Sequence, residues 1–102
     1  MEINSFFDAS FYVARKRAVI ATLIKNINRN RIIKRSTKLV KCGSSSEAEF
    51  KALYKLVIFL NLKQKQQQIP MDVIIHIFGD NEEVINYVIK KKFLKEFVCK
   101  IL

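Results

Sequence analysis

A chain of 102 residues, half of them hydrophobic, has the length of one domain and enough apolar material for a packed core, which excludes a disordered polypeptide. Its apolar runs, such as Leu56 to Leu60 and Val73 to Ile75, fall far short of the ~20 residues of a bilayer span. The opening Met1-Glu2 lacks the basic, apolar, small-residue order of a secretory signal, so a cytoplasmic protein with no membrane partner is expected. The formal charge of +10 points towards anionic partners.

The first element is a short strand, Ile3 to Phe7, running into Asp8. From Arg15 to Ile27 the pattern stays open. Val19, Ala21 and Leu23 alternate with Ile20, Thr22 and Ile24, which suits a strand buried on both faces, and a helix fits as well. Asn26 to Arg31 forms a polar turn. Ile32 to Cys42 follows as a strand with Lys34, Arg35, Lys38 and Lys41 scattered along it, the pattern of a sheet edge that resists pairing with other chains.

Gly43 ends that strand, and Ser44-Ser45-Ser46-Glu47 has the form of a capping box. The helix it starts, to about Leu62, is apolar on most sides near its end, through Phe50, Leu53, Leu56, Val57, Phe59 and Leu60. Gln64 to Pro70 is a loop. Asp72 to Gly79 carries the β-branched run of a central strand covered on both faces. Asp80 to Glu83 caps a last helix with the row Ile85, Ile89, Phe93, Phe97, Ile101 beside Val84, Val88 and Val98, and with Lys90 to Lys92 on its outer face.

The sum is a single α/β domain over residues 1–102, a small mixed sheet with helices in the order β-β-β-α-β-α. Repeated βα units are the alternative, since Asp8, Ser44 and Asp80 fall 36 residues apart, each at the end of an expected strand. Cys42 and Cys99 are too few for a disulfide framework or a zinc site and are expected to be buried free thiols in a reducing compartment. The 14 Lys, 14 Ile and 7 Asn are residues of AT-rich codons, and a virus or mobile element is one candidate source.

Three carboxylates stand where chemistry would want them: Asp8 at the first strand, Glu49 in the first turn of a helix and Asp80 at the end of another strand. If the strands are parallel neighbours, the three groups meet at one edge of the sheet. Hard oxygen ligands of this kind hold Mg²⁺, and two such ions about 4 Å apart activate water and stabilise the leaving oxygen in phosphodiester cleavage. The same positions also suit helix caps and the positive end of a helix dipole.

These segments resemble a ribonuclease H domain. Ser-Ser-Ser-Glu-Ala-Glu-Phe-Lys-Ala-Leu (44–53) is similar to the family segment in which a polar triplet precedes the helix with the second catalytic carboxylate. Ile-Phe-Gly-Asp-Asn-Glu-Glu-Val-Ile-Asn (77–86) is similar to the strand end with the third, and Phe-Phe-Asp-Ala-Ser (6–10) to the first-strand segment. The resemblance spans roughly residues 3 to 95. It implies catalytic and Mg²⁺-ligating roles for Asp8, Glu49 and Asp80. Ala9 stands where the family usually has glycine, and the family's fourth carboxylate has no counterpart in this sequence. A chain so reduced is expected to bind rather than to cut. His76, the one histidine, lies within Val-Ile-Ile-His-Ile-Phe and is expected on a sheet face or in the core.

The charge is uneven. Residues 1–42 carry ten Lys/Arg against Glu2 and Asp8, whereas residues 43–102 carry nine against seven acids. Arg15, Lys16, Arg17, Arg29, Arg31, Lys34, Arg35 and Lys38 are the candidate nucleic-acid contacts, with Phe11 and Tyr12 near enough in sequence to stack on bases. The plainer reading makes them a solvated basic face. Three functions follow: a ribonuclease H-like domain that binds nucleic acid or an acidic protein; a protein–protein adaptor or homodimer with no nucleic-acid role; and a Mg²⁺-dependent nuclease completed by a partner or second copy.

Overall fold

The computed structural model describes residues 2–70, 72–80, 84, 86 and 98–101. Three long strands come first, β1 (Glu2–Tyr12), β2 (Arg17–Asn26) and β3 (Arg31–Lys41). Helix α1 (Ser45–Lys65), β4 (Ile74–Gly79) and β5 (Val98–Ile101) follow. The strands form one sheet in the order β3-β2-β1-β4-β5. The meander β1-β2-β3 is antiparallel, whereas β4 lies parallel to β1 and β5 parallel to β4. The mixed α/β architecture expected from the sequence is present.

The ambiguous second segment is a strand. Ala18, Ile20, Thr22 and Ile24 are buried while Val19, Ala21 and Leu23 are half-buried, so β2 covers one face well and the other partly. Val13–Arg15 makes a 3₁₀ turn into β2, closed by Lys16 in the left-handed region at φ 51°. Asp8 therefore sits inside an 11-residue strand that is followed by another strand. This corrects the repeated-βα alternative, because the first supposed unit has no helix.

At the free edge, β3 exposes most of its length, including Arg31, Lys34, Arg35, Lys38 and Lys41, as its charge pattern anticipates. The capping box at α1 also forms. Ser44 Oγ accepts from the Glu47 amide at 3.1 Å, and Glu47 Oε2 accepts from the Gly43 amide at 2.6 Å. Such caps stabilise a helix by about 1 kcal/mol. Ala52, Leu53, Leu56, Val57 and Leu60 of α1 pack on Ile3, Phe7, Ile20, Ile24, Ile75 and Ile77. A smaller cluster, Ala18, Cys42 and Ala48, seats the start of the helix.

Two expectations change. β4 is buried on the helix side, with Ile75 and Ile77 at 0% exposure, whereas Ile74 on the other side is 42% exposed, so only one face is fully covered. Val98–Ile101 is a strand rather than the tail of a helix: β-branched Val98 and Ile101 join the ladder beside β4. Ile85, Ile89, Phe93, Phe97 and Lys90 to Lys92 of the expected last helix lie outside the described residues. Cys42 is a buried free thiol. Among the described residues no helix is long and apolar enough to cross a membrane.

Candidate functional site

The parallel pairing of β1 with β4 positions two of the three carboxylates. Phe6 pairs with Phe78, their rings stacked at 4.9 Å between centroids. Two residues further along stand Asp8, which strand alternation assigns to the same side of the sheet as those rings, and Asp80, one residue past the end of β4. Both line one cavity, together with Leu23, Arg35 and Thr37. Asp8 Oδ1 accepts from the Ala9 amide at 2.9 Å. Arg35 lines the same cavity, so a cation shares it with the two acids.

Glu49 takes a different position. It lies partly buried in the first turns of α1, between Ala48 and Ala52, and does not line the cavity of Asp8 and Asp80. Two residues earlier, Glu47 is committed to the cap and to Lys51, 3.4 Å away. The Gly43 amide holds the Glu47 carboxyl below the usual glutamate range; slight desolvation opposes this and Lys51 adds to it. Among the described residues, no group of three or more His, Cys, Asp and Glu could hold a metal ion. Among the described residues the hard ligands at the cavity number two, Asp8 and Asp80, and two carboxylates do not fit a Mg²⁺ centre held by the protein.

The basic residues divide among three places. Arg15, Lys16 and Arg17 surround the exposed β1–β2 turn, where Tyr12, Arg15, Arg17 and Leu39 line a hollow. Arg29 and Arg31 sit at the other end of β2, ten residues away, roughly 30 Å at the rise of a strand. Register separates the remainder. Lys34 and Lys38 pair with Ile24 and Ile20, whose side chains face α1, whereas Arg35 pairs with Leu23 on the opposite side. Tyr12 is 52% exposed, but Phe11 packs against the Ala18–Cys42–Ala48 cluster, so only one of the two rings stands in solvent.

His76 lies on the sheet face turned away from α1. Its Nε2 is 4.0 Å from Glu2 Oε1, and its buried Nδ1 has no hydrogen-bond partner among the described residues. Sequence reasoning missed Phe59 and Lys63 of α1 as site residues; the Phe59 ring meets both Lys63 and, across the gap to β3, Lys34. Their spacing of four residues places them on one helical face, the single signal the sequence held.

No protein-family model matches this chain, and no curated protein does. Solved structures do. An RNase H1 isolated from compost by a metagenomic approach aligns with a TM-score of 0.74 and 15% identity, over 99% of this chain and 84% of that one. A structure of that RNase H1 in complex with an RNA/DNA hybrid aligns with a TM-score of 0.67 and 14% identity, over 98% and 84%. The RNase H1 of Halobacterium salinarum gives 0.66 and 10%, over 100% and 86%. At such identities the likeness speaks for architecture alone. The chain has a ribonuclease H-like fold.

Proposed function

We propose that this protein is a nucleic-acid-binding domain that contacts phosphates through its basic meander and does not cut by itself. The observation that carries the reading is the exposed row of cations on β3 at the free edge of a ribonuclease H-like sheet. Phosphate contacts of this kind give affinity without reading sequence. Arg35 and Lys38, with Arg15, Lys16 and Arg17 at the first turn and Arg29, Arg31 and Lys34 at the second, are the proposed contacts. The structure of the compost RNase H1 with an RNA/DNA hybrid supports a hybrid as the first probe. A cytoplasmic location and a viral or mobile-element source belong to the same proposal.

The division of the carboxylates supports binding over cutting. Asp8 and Asp80 offer two hard ligands, and Glu49 does not join them in the cavity. The nuclease reading then needs ligands beyond those of the described residues, for which a partner or second copy is one source. The adaptor reading draws on the exposed row Tyr54, Ile58 and Leu62 along α1.

Titration of labelled RNA/DNA hybrid, DNA and RNA across a salt series tests the proposal. Affinity should fall steeply with salt, and Asp8→Asn and Asp80→Asn should both retain binding. An affinity indifferent to salt removes nucleic acid as the partner. Hybrid cleavage in Mg²⁺ or Mn²⁺ that disappears in both Asn variants establishes a nuclease instead.

A further inference from the structure

A second cavity, of about 570 Å³, opens between β3 and the C-terminal half of α1, away from Asp8 and Asp80. Four cations line it, Arg29, Arg31, Lys34 and Lys63, and among the described residues no carboxylate does. The ammonium groups of Lys34 and Lys63 are 4.6 and 5.4 Å from the centroid of the same Phe59 ring. Two like charges would ordinarily separate. Here the negative face of the ring attracts both, and the hydrogen-bond partner of Lys63 among the described residues is the neutral Gln68 Oε1, at 2.7 Å. Their charge is left for something else.

The size lies within the range of small-molecule sites. A concave wall of one sign concentrates anions, and guanidinium groups match phosphate oxygens two at a time. Four cations exceed what a single carboxylate or monophosphate would balance. The remaining wall combines the amides of Asn26 and Gln68 with Phe59 and the isoleucines, of which Ile69 is buried at 3% exposure and Ile32 half in solvent at 48%, so an apolar surface for a flat base lies beside hydrogen-bonding groups for its edge. We infer that this cavity binds a nucleotide bearing two or more phosphates, with Arg29, Arg31, Lys34 and Lys63 on the phosphates and the base against the isoleucines. Two sources share that chemistry, a free nucleoside triphosphate and the 5′-triphosphate end of a strand. The inference stands apart from polynucleotide binding along β3: loss of hybrid binding with ATP binding intact leaves it whole.

Calorimetric titration of the full chain with ATP, adenosine, and oligonucleotides ending in 5′-triphosphate or 5′-hydroxyl tests it. ATP or the 5′-triphosphate strand should bind at least about tenfold more tightly than its unphosphorylated counterpart, and the tighter of the two identifies the source. Lys34→Gln and Lys63→Gln should each weaken that probe about tenfold. Arg29→Gln, in an exposed turn where folding is not at stake, should do likewise. Lys41→Gln, on the same strand outside the cavity, should leave it unchanged, with far-UV circular dichroism confirming each fold. Equal weakening by Lys41→Gln and Arg29→Gln would reveal diffuse attraction and overturn the site. So would adenosine binding as well as ATP, or no binding by either phosphorylated probe.

Discussion

The Phe7 ring occupies the space that a β-carbon on Gly79 would need. The two residues are neighbours across the parallel β1–β4 pair, one step beyond Phe6 and Phe78. Gly79 does not have a positive φ, so space rather than backbone conformation requires glycine there. The close approach continues the register that brings Asp8 and Asp80 to one cavity. Gly79→Ala should cost about 1–3 kcal/mol, the usual range for overpacking a core. Phe7→Leu should relieve part of it, with a coupling of about 0.5–3 kcal/mol in a double-mutant cycle read by urea unfolding. Strictly additive losses would show that the ring is not the obstacle.

Local chemistry was legible in the sequence, and long-range register was not. Ser44 and Glu47 announced the start of α1 because a cap is written in consecutive residues, and the lysines of β3 announced an edge because only an edge tolerates them. Asp8 looked like the end of a strand, yet β1 runs on to Tyr12, since Ala9 and Phe11 find apolar partners under the start of α1. Val98 and Ile101 fitted a helical row by spacing, but pairing with β4 decides their state. Glu49 matched a motif by position, whereas the way α1 lies over the sheet decides whether it meets Asp8. No local pattern encodes that crossing.

Ser5 is fully buried between β2 and β4, opposite Ile24 and Ile77, and its Oγ has no hydrogen-bond partner among the described residues. A buried hydroxyl without a partner forfeits its hydration and gains nothing in return. Ser5→Ala should therefore stabilise the protein by about 1 kcal/mol, seen as a raised thermal midpoint. A drop of similar size would mean that the hydroxyl is satisfied in solution, by a bound water or a residue not described.

Glu47 gives the cap a dependence on acid. Its carboxyl is held below the usual glutamate range first by the Gly43 amide, with Lys51 adding to the effect. A depressed folded value means that the stabilisation is complete above the unfolded glutamate range and is lost as pH falls through the folded value. Glu47→Gln keeps an acceptor for the Gly43 amide but cannot titrate. Unfolding midpoints at about pH 7 and about pH 3 should fall further for the wild type than for the variant. Parallel pH profiles would show that the cap does not sense the charge. Because the side chain stands in solvent, salt should reduce the Lys51 share before the amide share.

Arg35 and Lys38 belong to one edge strand but stand on opposite faces of it, Arg35 with Leu23 and Lys38 with Ile20. A polynucleotide that crosses the edge meets both, whereas one lying flat on either face meets a single cation. On hybrid, each neutralised phosphate steepens the slope of log K against log salt by about 0.9, the value for a duplex. If nucleic acid crosses the edge, Arg35→Gln with Lys38→Gln should flatten the slope by about 2, and each single change by about half of that. Filter binding between about 50 and 200 mM salt resolves such a difference. A double variant no flatter than one single variant places the strand on one face. Lower affinity with an unchanged slope would assign both side chains to holding the edge in shape, not to phosphate contact.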